Sequence, residues 1–359
     1  MKKHRARDNA ENGHTARSAG KTNGCRVLPF TRANSFIPFN LFLDTLGSPT
    51  QRLLQKARIP VALLEDPEAL VPVHMAYHFL ESAVQLEGID DLGLRVAQEA
   101  SAFQLGTYGI RLQRAQTVAE YLQIGISLIG EQCAGERFWL TDEANFLRFN
   151  QFLPGTPSVG RCQADIFTLA ITLNMLRQFI GPAWTPGEVR LLAGDETLLG
   201  DGSLLGEATL ITGQDHSSFT IPRSLLSLGV QGPAPERAVN GACTPDFMPP
   251  MPSDLVTSVE QLVISLLEHG PPGIDVAAEM AGMSARTLQR RLAETGATYS
   301  GLVTSSRMQL ARDWLGNTDM PVTEIAAALG YVDASNFARA FRAQTGLSPA
   351  SYRRAQAQR

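Results

Sequence analysis

Twice near its C terminus the chain repeats one pattern: a short apolar helix ends at glycine, a tight turn follows, and a new helix starts with arginines on its outer face. In the first copy Asp275 to Ala281 is the short helix and Gly282 stops it. Ser284 is placed to cap a second helix running from Ala285 to about Thr295. Leu288 and Leu292 stand at i and i+4 and turn toward a core, which sends Arg286, Gln289 and Arg290 outward with Ala285 beside them. In the second copy Ile325, Ala326 and Leu329 form the short helix, Gly330 ends it, and Tyr331 to Ala334 make the turn. Ser335 is the expected cap of a helix whose Phe337 and Phe341 point inward, leaving Asn336, Arg339 and Arg342 outside.

An outward Arg/Gln face on a helix has a specific use. Arginine can give two hydrogen bonds to guanine O6 and N7, glutamine can pair with adenine N6 and N7, and the major groove admits one helix. Ser284, Thr287 and the helix N-terminus suit a phosphate. The expected DNA-binding residues are therefore Ser284, Ala285, Arg286, Thr287, Gln289 and Arg290 in one unit, and Ser335, Asn336, Arg339 and Arg342 in the other. A solvated arginine face on an ordinary helix would explain either stretch alone; the recurrence decides against it.

The surrounding residues agree with this layout. Leu255, Val259, Leu262, Val263, Leu266 and Leu267 line one face of a preceding helix that stops at Gly270-Pro271-Pro272. Leu302, Val303, Leu310, Ala311 and Leu315 belong to a connecting helix ending at Gly316-Asn317. Ser284 and Ser335 are 51 residues apart, enough for a helix to hold two reading helices roughly 34 Å apart, one turn of DNA. Gly346 closes the last reading helix, Ser348 can cap the next, Pro349 takes its first position, and Tyr352-Arg353-Arg354 end the domain.

These residues resemble the AraC/XylS family of transcription regulators over about residues 253–354. The resemblance rests on Ala277, Gly282-Met283-Ser284 and Arg286-Thr287-Leu288-Gln289-Arg290, then on Ile325-Ala326, Leu329-Gly330-Tyr331, Phe337, Phe341, Gly346, Ser348-Pro349 and Tyr352-Arg353. It implies sequence-specific binding to double-stranded promoter DNA and, most often, activation through contact with RNA polymerase. Residues 34–230 are similar, more diffusely, to the sensor domain of ornithine-utilisation-type regulators. That likeness implies a small-molecule effector of unspecified identity, a homodimer, or both.

The net charge of -4 fits a DNA binder only once the charge is located. Residues 1–32 carry eight basic side chains against Asp8 and Glu11, and from Ser253 onward ten arginines balance ten acids. The middle is therefore strongly acidic, and phosphate attraction must come from clustered arginines rather than bulk charge. The first 32 residues lack apolar periodicity and read as a disordered basic extension. No apolar stretch follows that would make them a signal peptide, so the expected location is cytoplasmic. Prolines at 233, 235, 245, 249, 250 and 252 mark residues 231–252 as a linker.

Between them, residues 33–230 mix helical and strand patterns and form the expected effector-sensing or dimerisation domain. Val73, Tyr77, Leu80 and Val84, and Val118, Leu122, Ile126 and Ile129, recur at helical spacing. Phe138-Trp139-Leu140 and Phe146 to Phe149 flank Asp142 to Asn145 as a hairpin, and Glu188 to Leu192 and Ser218 to Ile221 read as short strands. Ile166 to Ile180 is apolar but interrupted by Thr168, Thr172, Asn174, Arg177 and Gln178, so it is a core helix and no membrane span. The fold class is α+β: a mixed helix and short-strand sensor domain, then an all-α domain at 253–359 with two helix-turn-helix units joined by a linker helix.

Other chemistries find little support. His74 and His78 have the spacing of a helical metal pair, but Met75 stands where a zinc protease has its general base, so core or surface histidines fit better. Gly200-Asp201-Gly202 with Gly206 lacks nucleotide-loop spacing and reads as a hairpin turn. Cys25, Cys133, Cys162 and Cys243 form no C-x-x-C pair, and Cys133 and Cys162 fit buried structural cysteines better than a redox pair. No enzyme, metal or cofactor is expected. The alternatives are a DNA-binding module fused to an enzymatic domain, for which no catalytic constellation stands out, and an effector-independent architectural DNA-binding protein, against which the acidic middle counts. Phe138, Trp139, Phe149 and Phe152 are candidates for lining an effector pocket, ordinary core being the simpler role for each.

Overall fold

Phe30, Thr31 and Arg32, which the charge pattern assigns to the basic extension, instead form a strand, β1 (Phe30–Arg32), with Phe30 and Arg32 fully buried. It pairs antiparallel with β2 (Leu70–Pro72), Thr31 lying opposite Val71. A buried guanidinium is tolerable only if its donors are used. Arg32 Nε donates to the Glu131 carbonyl at 2.8 Å and Nη1 to the Glu68 carbonyl at 3.1 Å. The computed structural model describes residues 27–194, 196–200, 205–230, 248, 250–267 and 271–356. The expected extension before residue 27, residues 231–247 of the expected linker, part of the Gly200 to Gly206 turn, Gly270, Cys25 and Cys243 lie outside the described residues.

The N-terminal part continues as α1 (Ile37–Thr45), α2 (Thr50–Lys56), α3 (Val73–Glu87), α4 (Leu92–Glu99), α5 (Gly106–Leu112) and α6 (Val118–Gln132). Then come β3 (Arg137–Glu143), β4 (Phe146–Phe152), α7 (Val159–Ile180), β5 (Glu188–Arg190), β6 (Thr209–Ile211) and β7 (Ser217–Pro222). The expected hairpin is β3–β4, turning through Ala144 at φ +50. It opens a five-stranded sheet of order β3-β4-β7-β5-β6, antiparallel except for the β5–β6 pair. β6 has no counterpart in the sequence reading.

The expected core helix is α7, which packs on α3 and α4. Backbones touch at both crossings. A Cβ on Gly160 would stand 1.9 Å from the Tyr77 carbonyl oxygen, and one on Gly93 would stand 2.2 Å from that of Gln163. Gln163 adds two bonds to the second crossing: its Oε1 accepts from Gly93 N–H at 2.7 Å and its Nε2 donates to the Asp90 carbonyl at 2.7 Å. No helix among the described residues is long and apolar enough to cross a membrane.

The C-terminal part is all helical: α8 (Leu255–Leu266), α9 (Ile274–Met280), α10 (Ala285–Glu294), α11 (Tyr299–Asn317), α12 (Val322–Ala328), α13 (Ala334–Thr345) and α14 (Pro349–Gln356). Helix α8 packs on both α11 and β2, and Leu28 N–H donates to Ser258 Oγ at 3.2 Å. Leu255, Val259, Leu262 and Val263 of α8, with Leu288 and Leu292 of α10, therefore belong to one continuous core with the N-terminal helices. The second helix-turn-helix has a separate core of Met308, Ala311, Leu315, Ile325, Phe337 and Phe341 among others.

Candidate nucleic-acid interface and internal cavity

In the first unit α10 is capped as expected: Ser284 Oγ accepts from Thr287 N–H at 3.3 Å and lies 2.9 Å from Thr287 Oγ1. Leu288 and Leu292 are buried, and Arg286, Gln289 and Arg290 are exposed with Ala285 partly covered. The second unit departs from expectation at its cap. Helix α13 starts two residues earlier, and Asp333, not Ser335, accepts from Asn336 N–H at 2.7 Å. A carboxylate complements the partial positive charge of a helix N-terminus better than a neutral hydroxyl. Ser335 is left as an exposed first-turn residue.

That correction makes the two helix starts electrostatically unlike. The start of α10 offers a neutral hydroxyl and free donors to a phosphate, whereas the Asp333 carboxylate repels one from the start of α13. Asp333 also organises the outer face. Asn336 Nδ2 donates to Asp333 Oδ2 at 2.8 Å, and Arg339 Nη2 donates to Asn336 Oδ1. Arg339 and Arg342 are exposed, so these contacts are weak and exchange cheaply for others. Phe337 and Phe341 fix the helix from beneath, with centroids 5.6 Å apart and Tyr331 and Tyr352 at either end of the stack.

Helix α11 holds the units apart; its 19 residues span about 28 Å. Arg307 on α11 lies over the Tyr331 ring at 3.8 Å, and Arg353 on α14 donates to the Leu315 and Met320 carbonyls. Arg353 thereby ties α14 to the end of α11, a folding role that the sequence leaves open beside phosphate contact. His74 of α3 sits beside Glu279 and Gly282 of the first unit; burial and His78 lower its pKa while Glu279 opposes them. Among the described residues no cluster of His, Cys, Asp or Glu could hold a metal ion.

The N-terminal part encloses a cavity between α3, α6, α7 and the β3–β4 face. Its wall is largely apolar, with Phe36, Phe39, Leu80, Leu122, Phe167 and Ile171. Of the four aromatic candidates, Phe138 and Phe149 reach it. Trp139 instead stacks near His216 at 4.9 Å, and Phe152 lies beneath the Arg137 and Arg161 guanidiniums. One cluster of polar groups lies where Thr31 of β1 bridges to Cys133 after α6. Gln132 Nε2 donates to Ser35 Oγ at 2.8 Å and to Asn34 Oδ1, and Thr31 and Ser35 hydroxyls are 2.7 Å apart.

Glu136 completes that cluster, buried, with Oε1 unpartnered. Burial pushes its pKa up to about 8, a hydrogen bond with Cys133 opposes this, and the nearby Asp165 carboxyl adds to the rise. Burial likewise drives the Cys133 thiol well above its ordinary value, so it is a poor nucleophile. Cys133 and Cys162 are both free thiols, Cys133 buried and Cys162 half-exposed. Gln132 and Glu136 escape the sequence reading because they sit at a helix end and in a loop, where no periodicity marks an inward side chain.

A cavity domain thus sits against the first of two helix-turn-helix units that present arginines outward, the build of a ligand-controlled DNA-binding regulator. A family model described as the N-terminal arabinose-binding domain of AraC transcription regulators matches residues 47–230, and one described as a helix-turn-helix domain matches 277–355. The chain belongs to the AraC family of transcription regulators. It is 43% identical over 102 residues to the ornithine utilization regulator of Pseudomonas aeruginosa, a match spanning 28% of this chain and 30% of that protein. Similarity to the transcriptional regulator VirS of Mycobacterium tuberculosis is lower, 25% over 336 residues, but covers 90% of this chain and 96% of VirS. Among solved structures, the regulator CdpR from Pseudomonas aeruginosa aligns over 89% of this chain and 98% of its own, at 19% identity and a TM-score of 0.37.

Proposed function

We propose that the protein is a sequence-specific transcription factor whose binding to double-stranded promoter DNA is controlled by a small molecule in the N-terminal cavity. Residues 253–359 bind DNA and residues 33–230 sense the effector, with residues 231–252 linking them. Helices α10 and α13 enter successive major grooves, Arg286, Gln289 and Arg290 reading one and Asn336, Arg339 and Arg342 the other. Ser284, Thr287 and Ala285 flank a phosphate at the start of α10, while the exposed Ser335 hydroxyl, beside Asp333, faces the groove rather than the backbone. One observation carries this reading: both helices are pinned from beneath by fully buried pairs, Leu288 with Leu292 and Phe337 with Phe341, so their polar faces are fixed outward. The same reading makes the protein a cytoplasmic activator that contacts RNA polymerase and pairs through its N-terminal domain.

Capture of genomic DNA on the tagged protein tests it. A sharp motif of two half-sites about one turn apart is expected; diffuse, sequence-blind occupancy would overturn it in favour of an architectural role. Arg290→Ala and Arg339→Ala should each cost roughly 1 to 3 kcal/mol and relax preference at one base pair. Unchanged affinity and base preference in both variants would refute the docking.

A further inference from the structure

We infer that the N-terminal cavity takes a ligand with an apolar body and an amine head, held by Glu136 and Gln132. The inference rests on the effector reading above and specifies the chemistry of that site. Two acceptors, Glu136 Oε1 and Gln132 Oε1, are buried at the same end of the cavity without a partner. The Gln132 amide cannot turn its nitrogen inward without losing Asn34 and Ser35, to which Nε2 already donates. Unpaired buried acceptors are costly and ask for a donor.

An ammonium offers three donors and no acceptor, which matches two orphaned oxygens. The surroundings reject the opposite charge. The groups acting on Glu136 are Cys133 beside it and Asp165 from α7; Tyr77 of α3 and Tyr108 of α5 also face it. The nearby cation, Arg161 of α7, acts on Tyr77 and Asp165 but is turned to the Leu153 carbonyl and the Phe152 ring and does not line the cavity. A carboxylate ligand would find no cation on the cavity wall and would be repelled by Glu136 wherever that group ionises. A sugar fits no better, because most of its hydroxyls would lie unpaired against Phe36, Phe39, Leu122 and Phe167.

The head also accounts for the proton. With its carboxyl pushed up to about 8, Glu136 is mostly protonated near neutral pH in the empty cavity. An entering ammonium displaces that proton to solvent, leaving a carboxylate–ammonium pair with charge-assisted hydrogen bonds. Binding near pH 7 therefore releases close to one proton.

Calorimetric titration of the full chain at pH 7 with n-octylamine, 1-octanol and octanoate tests the assignment. Octylamine should bind at least tenfold more tightly than either control, with proton release seen as a buffer-dependent heat. Glu136→Gln keeps the shape and removes the charge; it should lose tenfold or more in octylamine affinity while its melting shows an intact fold. Tighter binding of octanoate or octanol, or full octylamine affinity in Glu136→Gln, overturns the amine head and leaves the effector cavity standing. Failure of all three probes at millimolar concentration overturns the cavity reading as well, while promoter capture reports separately on DNA binding.

Discussion

Glu136 ties stability to pH in a direction opposite to most carboxylates. Burial holds its proton up to about pH 8 in the folded chain, whereas the unfolded chain releases it near 4.5. Between those values the folded state binds more protons, so stability is greatest below the lower value, falls as pH rises through the window, and levels off above about 8. Asp165 is raised by burial too and contributes in the same sense. Glu136→Gln leaves Asp165 in place, so its unfolding free energy, from urea titrations at several pH values, should lack the Glu136 part of the slope. The difference from the parent should grow by about 1.4 kcal/mol per pH unit inside the window. Parallel curves for the two proteins would show that Glu136 is not held protonated. At this scale the sequence was readable where a residue's role is local. Ser284 was recognisable as a cap from its neighbours, while Asp333 was passed over because Ser335 fitted the same motif two residues on. Glu136 had no local mark, since what makes it functional is burial by helices distant in sequence.

Helices of ten or more residues were legible; the shorter α1 and α4 and the strands β1, β2 and β6 were not. Helices α3, α6, α7, α8 and α11 carry apolar residues at three- and four-residue intervals, and the structure buries those faces. Strands β1 and β6 are three residues each, too short for alternation, and β1 exists because β2 and the loop after α6 pair with it from afar. The α7 crossings were equally invisible, although Gly93 and Gly160 are what allow them. Gly160→Ala places a methyl inside van der Waals contact of the Tyr77 backbone and should cost roughly 1 to 3 kcal/mol, despite alanine's higher helix propensity. A lowered urea midpoint checks this, and because Tyr77 lines the cavity, ligand affinity should fall with it. Gly130 on α6 has open space around it and serves as the control.

At the scale of the whole molecule the two helix-turn-helix units are not equivalent. The first shares its core with the cavity domain through α8, β2 and Leu28, and the second stands on its own core at the far end of α11. Native-state hydrogen exchange on the full chain should register the difference. Val259→Ala, at the joint, should lose roughly 1 to 3 kcal/mol of protection in both α10 and the cavity helices. Phe337→Leu should lower protection in α12 and α13 while leaving α10 unaffected. Loss spread evenly through the chain in both variants would mean that the cores open together.

Two separate cores also bear on how such a protein can change over generations. Substitutions on α13 meet only the second core, so they leave the joint to the cavity domain untouched. Changes in the cavity wall reach α10 before they reach α13. Target choice and signal response can therefore be revised by different mutations, one at each end of α11, without either revision undoing the other.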